Sequence, residues 1–178
     1  LDARVSPMEV IGDTLYFFTT HEAPKGRLLA ADLRDPSPES WRTVVPARED
    51  AVLKSVSLAG PVFVARYEVD ASTRMELWTP GGERVGELEL PGLGTASIST
   101  ERDRTEAFLA YESFNEPESI YRLDVLSGER ELWARPKVPV DPEAIVVRQE
   151  FATSADGTRV PIDRKSTRLN SSHVCSSR

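Results

Sequence analysis

Pro61-Val62-Phe63-Val64-Ala65-Arg66-Tyr67 is followed by Arg74-Met75-Glu76-Leu77-Trp78, and then by Pro80-Gly81-Gly82 and Arg84-Val85-Gly86-Glu87-Leu88-Glu89-Leu90. Short runs rich in β-branched and aromatic residues, bounded by Pro, Gly and Asp, read as antiparallel strands. The same order stands upstream. Leu15-Tyr16-Phe17-Phe18-Thr19-Thr20 precedes a loop with Pro24, Lys25 and Gly26, then Arg27-Leu28-Leu29-Ala30-Ala31-Asp32-Leu33, the breakers Asp35-Pro36-Ser37-Pro38, and Trp41-Arg42-Thr43-Val44-Val45. A third copy runs from Thr105-Glu106-Ala107-Phe108-Leu109-Ala110-Tyr111 through Ser119-Ile120-Tyr121-Arg122-Leu123-Asp124 to Glu129-Arg130-Glu131-Leu132-Trp133. Phe17, Phe63 and Phe108 occupy matching places, as do Trp41, Val85 and Leu132. A repeat of about 45 residues is the length of a four-stranded propeller blade. Residues 52–58 and 95–100 are expected as innermost strands, with the first copy's inner strand near 4–10. The fold class is therefore all-β: consecutive four-stranded antiparallel blades of a partial β-propeller.

This repeat has a physical consequence. A single twisted four-stranded sheet cannot bury both faces alone, so neighbouring sheets must stack. Three blades outside a closed ring are expected to be marginal or aggregation-prone, because apolar faces and strand edges stay bare. Phe17, Phe63, Phe108, Trp78 and Trp133 are expected as inter-blade core.

Composition narrows the chemistry. The chain of 178 residues is 39% hydrophobic, enough for a core, and carries a net charge of −7. Residues 163–178 hold four basic side chains (Arg164, Lys165, Arg168, Arg178) against Asp163, so residues 1–162 alone carry −10. That acidity works against nucleic-acid or anionic-membrane partners, which need clustered Lys and Arg. The lone cysteine, Cys175, and one of the two histidines, His173, fall near the C-terminus. What precedes them has His21 and no thiol, which removes a Cys nucleophile, a disulfide framework and a thiolate zinc site from that segment. No apolar run approaches the roughly 18 residues of a membrane span. The chain opens on Leu1 rather than Met, so an upstream portion is expected. A cytoplasmic location is expected, with a periplasmic one left open.

The passage Pro136-Lys137-Val138-Pro139-Val140-Asp141-Pro142, leading into Arg148-Gln149-Glu150-Phe151-Ala152-Thr153-Ser154-Ala155-Asp156-Gly157-Thr158-Arg159-Val160-Pro161-Ile162, resembles the point in the prolyl oligopeptidase family where a propeller ends and the first hairpin of a serine-hydrolase domain begins. Gly12-Asp13-Thr14-Leu15-Tyr16-Phe17-Phe18-Thr19 with Pro24-Lys25-Gly26-Arg27-Leu28 is similar to a strand–loop–strand of that family, and Glu89-Leu90-Pro91-Gly92-Leu93-Gly94-Thr95 to its inter-blade link. Ser113-Phe114, Pro117 and Ile120-Tyr121-Arg122-Leu123-Asp124 resemble its final blade. The likeness is ordered along residues 4–162. Residues 163–173, Asp-Arg-Lys-Ser-Thr-Arg-Leu-Asn-Ser-Ser-His, resemble an in-frame translation of a sequencing-library adapter.

The resemblance implies a seven-bladed propeller joined to an α/β-hydrolase domain whose Ser–Asp–His triad cuts short peptides after proline. It divides the chain into 1–136, the last three blades or so; 137–147, an interdomain hinge stiffened by Pro139 and Pro142; 148–162, the first hairpin of the hydrolase domain; and 163–178, a non-native disordered tail. The Gly-x-Ser-x-Gly elbow of that hydrolase class is absent. His21 reads as an exposed strand-end residue. No catalytic, cofactor-binding or metal-ligating residue is assigned, no cofactor is expected, and the chain alone should be inactive. The implied partners are the rest of the propeller, the hydrolase domain and short proline-containing peptides. The implied role of the blades is to cap the active site and exclude folded proteins. Glu112, Glu116, Glu118 and Asp124 are expected to cluster near the last hairpins as solvated loop acids that could line a substrate route.

Three alternatives remain. Oligopeptidase B, on the same fold, cuts after basic residues; the 134–142 junction favours the prolyl branch. A non-catalytic scaffold propeller would be expected to carry Trp-Asp and Gly-His signatures, which are absent. A sugar- or metal-dependent propeller enzyme would need clustered acids or histidines at the blade mouths.

Overall fold

The computed structural model describes residues 3–139 and 145–167. Three four-stranded antiparallel sheets follow one another, each a meander in chain order. The first holds β1 (Val5–Ile11), β2 (Thr14–Thr19), β3 (Arg27–Asp32) and β4 (Arg42–Val45). The second holds β5 (Val52–Ala59), β6 (Val62–Val69), β7 (Ser72–Trp78) and β8 (Arg84–Leu88). The third holds β9 (Thr95–Thr100), β10 (Glu106–Glu112), β11 (Ser119–Asp124) and β12 (Arg130–Ala134). A separate hairpin pairs β13 (Ile145–Thr153) with β14 (Arg159–Thr167). Apart from a 3-10 turn at Pro38–Ser40, no helix occurs among the described residues.

The sheets stack face to face. Tyr16, Phe18, Leu28 and Val45 of the first meet Phe63, Ala65, Tyr67 and Trp78 of the second in one apolar cluster. Val62, Val64, Met75 and Leu77 on the other face of the second meet Ala96, Ala107, Leu109 and Tyr111 of the third. Because β6 is covered on both sides, it reads as a continuous apolar run rather than an alternating one. The inner strands β1, β5 and β9 touch in succession, which places them around a common centre. Tyr16 and Phe63 meet at 4.9 Å between ring centroids across the first interface. Gly26, with φ of +85°, closes the β2–β3 loop onto this core; a Cβ there would stand 2.6 Å from the Phe18 ring.

Two expectations about aromatic residues are corrected. Phe108 is 37% exposed and Trp133 61% exposed, so neither belongs to the core between sheets. They pack edge to face on each other, 5.7 Å apart, on the open face of the third sheet. Nor does Phe108 match Phe17 and Phe63. The interval from Phe63 to Phe108 is one residue shorter than that from Phe17 to Phe63, and one residue along a strand switches faces. Leu109 takes the inward place and is fully buried. Phe17 is buried in a small cluster of its own with Leu29, Ala31 and Trp41. Trp41 covers that cluster, whereas Val85 and Leu132 are exposed.

The hairpin also departs from expectation. It starts at Ile145 rather than Arg148 and its ladder continues to Thr167, past the expected tail boundary at Asp163. Gln149 Nε2 donates to Asp163 Oδ1 at 3.1 Å, and Arg164 Nη1 to Glu150 at 3.0 Å, so these side chains complement the partner strand. An antiparallel ladder continues while each strand offers the other its donors and acceptors. Residues 140–144 of the expected hinge, and 168–178 with His173 and Cys175, lie outside the described residues.

The register makes a sharp prediction. Leu109→Ala should lower the unfolding free energy by about 2–5 kcal/mol through lost burial and a cavity. Phe108→Ala, one residue away, should cost roughly 1 kcal/mol or less. Urea unfolding of the two variants checks the contrast.

Candidate functional site

The meanders give each sheet two unlike ends. Tight turns at Gly12-Asp13 and Gly60-Pro61 and the 101–105 loop lie at one end. The crossovers 46–51 and 89–94, the β6–β7 turn and the 113–118 loop lie at the other. The hairpin β13–β14 stands at this crossover end. Gln149 Nε2 donates to the Asp70 carbonyl at 2.8 Å, and Asn115 Nδ2 to the Ile145 carbonyl at 3.4 Å. Asp70 and Ala71 form the β6–β7 turn with φ of +49° and +62°, a left-handed pair matching the twist of a tight hairpin. Asp70, Arg74, Leu90, Leu93 and Gln149 border a hollow of about 330 Å³ here.

Two polar clusters tie connecting segments to the sheets. In the first, Glu76 is only 5% exposed, flanked in β7 by Met75 and Leu77. Its carboxylate accepts from Arg48 Nη1 at 2.6 Å and Trp78 Nε1 at 3.2 Å, with Arg84 Nε also 3.2 Å away. Arg48 comes from the crossover, pairs with both oxygens of Asp50, and lies over the Tyr67 ring. The Asp50 hydrogen bond, reinforced by the charge of Glu76, holds Arg48 firmly charged. Burial drives the Tyr67 phenol well above its ordinary range, with the Glu76 charge adding to the effect.

The second cluster closes the third sheet. Glu116 accepts from the Tyr121 hydroxyl at 2.6 Å and from Arg135 Nη2. Arg135 also donates from Nε to Ser119 Oγ at 2.9 Å and from Nη2 to the Tyr121 oxygen at 2.9 Å. Nearby, Gly94 admits the close approach of the inter-blade link: a Cβ there would overlap the Glu112 carbonyl and stand 3.0 Å from the Tyr111 ring. Neither cluster was singled out from the sequence. Glu76 had a signal, an acid inside a buried strand; the Arg135 group had none, since its members come from a loop, one strand and an exit.

The expected group of acids is not brought together. Glu112, Glu116 and Glu118 stand at the crossover end, but Asp124 stands at the opposite one. There Asp124 accepts from Thr105 Oγ1 and from the backbone amides of Leu126 and Ser127 at 3.0 and 2.9 Å. Of the three at the crossover end, Glu116 is bound up in the Arg135 cluster rather than solvated. Asp32 caps the Arg34 amide at 2.8 Å and Glu68 pairs with Lys54 at 3.1 Å, both ordinary strand-end roles. His21 follows β2 and is half-buried, not exposed; it borders an open hollow of about 350 Å³ with Glu22, Arg27 and Trp41. Among the described residues no group of three or more His, Cys, Asp or Glu is placed to hold a metal ion. None of the helices described is long and apolar enough to cross a membrane. The arrangement can hold and orient a neighbouring module.

Stacked four-stranded meanders around a common centre, with crossovers at one end, define this as a β-propeller segment. The profile described as "Prolyl oligopeptidase, N-terminal beta-propeller domain" matches residues 1–136, and the chain belongs to the prolyl oligopeptidase family. It is 32% identical over 162 residues to a prolyl endopeptidase of Elizabethkingia meningoseptica, covering 90% of this chain and 23% of that protein. A solved structure from a study of two prolyl endopeptidases and their inter-domain dynamics superposes with a TM-score of 0.83 at 34% identity, over 94% of this chain and 25% of that one. Oligopeptidase B of Trypanosoma brucei, solved with covalently bound antipain, superposes at 0.77 with 24% identity, over 93% of this chain and 25% of that one; at that identity the likeness is one of fold. The chain thus spans about a quarter of the length of the relatives it matches.

Two predictions follow from the polar groups. Glu76→Gln should cost about 1.5–3 kcal/mol, the value of hydrogen bonds to charged groups, measured by chemical denaturation. The Thr105 hydrogen bond, then the Ser127 and Leu126 amides, hold Asp124 below its ordinary value of 3.8. A depressed folded value stabilises the fold above the unfolded pKa, and that contribution is lost as pH falls through the folded one. Thr105→Val should therefore raise the Asp124 titration midpoint towards the ordinary value, read from side-chain carboxyl shifts by NMR.

Proposed function

We propose that these three sheets are part of the size-filtering, gating propeller of a serine peptidase that hydrolyses short peptides after proline. The observation that carries the reading is the seat of the β13–β14 hairpin. The chain leaves β12 through Pro136 and Pro139 and begins its next element against the crossover end, at Asp70 and Asn115. A following hydrolytic module would face this end. The blades would then form one wall of a cavity whose opening admits peptides and keeps out folded chains.

The prolyl assignment rests on curated relatives named as prolyl endopeptidases. The partners on this reading are the rest of the ring, the hydrolase domain and short proline-containing peptides. Neither nucleic acid nor an anionic membrane suits a segment with a charge of −10 over residues 1–162. A cytoplasmic location goes with the same reading. Catalysis would belong to residues beyond those of the three sheets, with the propeller acting on access.

The connector supplies the test. Prolines fix φ and remove donors, so 136–139 is a stiff extended lead. In a protein extended to include the hydrolase domain, replacing 137–147 by a Gly/Ser linker should change gating. The expected result is weaker discrimination between a short proline peptide and one of about 30 residues or more, judged by the ratio of their kcat/KM values. Unchanged turnover and unchanged size selectivity would count against the gate.

A further inference from the structure

The 113–118 loop touches the chain on both sides of the segment joining the third sheet to the hairpin. Before that segment, Glu116 receives Arg135 Nη2; after it, Asn115 Nδ2 reaches the Ile145 carbonyl. The loop is closed on itself. Ser113 and Glu116 exchange backbone hydrogen bonds at 3.0 and 3.4 Å, and Ser113 Oγ donates to Asn115 Oδ1 at 2.6 Å. Arg135 is the first residue past β12 and is followed at once by Pro136, which has no N–H and cannot extend the ladder. The exit is held instead by the guanidinium, which engages Glu116, Ser119 and Tyr121 together.

This differs from an ordinary surface ion pair. The Glu116 side chain is 16% exposed, and the fully buried Ser119 hydroxyl donates to the Pro117 carbonyl at 2.8 Å while accepting from Arg135. Burial first, then the hydrogen bond to Glu116, pushes the Tyr121 phenol up, so it stays a donor to the carboxylate. One acid therefore locks a planar five-donor cation in a fixed orientation.

We propose that the 113–118 loop is the seat of the connector, with Glu116 and Asn115 as positioning residues that fix where the chain leaves the propeller and where the next element begins. The pivot is thus set by the last blade's loop and not by the connector alone. This deepens the gating reading and takes its functional meaning from it, but the clamp can be tested without catalysis.

The experiment is native-state trypsin digestion of the full chain. Lys137 is exposed just past the clamp, and the Arg135–Pro136 bond resists trypsin. Glu116→Gln should accelerate cleavage at Lys137 about tenfold, because cleavage follows the population of the opened exit. Cleavage at Arg102, in the loop at the far end of the same sheet, should not move. Tyr121→Phe, which keeps the ring, should give a smaller rise and carries the comparison if Glu116→Gln does not fold. Asn115→Ala should speed hydrogen exchange at the start of β13 and leave Arg102 unaffected. Equal cleavage at Lys137 in variant and wild type overturns the proposal, as does a parallel rise at Arg102, which would mean general loosening. A clamp that fails leaves the gate to its own test with the Gly/Ser connector. A connector with no effect on selectivity removes the gate and leaves the clamp standing.

Discussion

Everything in this molecule depends on sheets covering one another's faces. The second sheet shows the constraint most clearly, since Phe63 and Tyr67 point one way into the first sheet while Val64 and Met75 point the other way into the third. Burying each large side chain of that kind contributes about 1.5–3 kcal/mol, and no isolated sheet obtains this on both faces. The price is that an open array always ends in a bare face. Here that face carries Phe108 and Trp133. The outer strands β4, β8 and β12 each carry a register shift against their neighbours, a distortion that discourages edge-to-edge pairing.

The meander also decides where a second module can attach. Four antiparallel strands begin and end on the same side, so every crossover and the final exit emerge at one end. The opposite end receives only hairpin turns, and Asp124 serves there to shape the β11–β12 turn. On the proposed reading, function belongs to the crossover end for a topological reason before any side chain is considered. In each polar cluster a connecting segment is tied down: Arg48 of the 46–51 crossover to Glu76 of β7, and Arg135 of the exit to Glu116 of the 113–118 loop. Half-buried pairs of this kind are weak evidence of net stability; what they fix is the geometry of the segment they hold.

Strand positions were legible because β-branched and aromatic runs stop at Pro, Gly and Asp, and β5, β9 and β11 fall within a residue of their expected bounds. Facing was less legible. Phe108 matched its counterparts in spacing and failed in parity, since a repeat that changes length by one residue keeps its strands and exchanges their faces. The hairpin's length escaped for another reason. Residues 163–167 have no strand character of their own and are carried by a partner that offers them a ladder. The candidate site was the least legible part, because Arg135, Glu116, Ser119 and Tyr121 are unremarkable apart and meaningful only in contact.

By itself the sequence determined the class of element, the threefold succession of sheets, the family likeness and the absence of a nucleophile elbow. These rest on local preference and on order along the chain, which neighbours in space do not alter. Tertiary structure alone decided which aromatic residues are covered, that Asp124 and Glu116 stand at opposite ends, and that one loop grips the chain on both sides of its exit. Such facts come from residues distant in sequence meeting across a fold, and the one-dimensional pattern holds no distances.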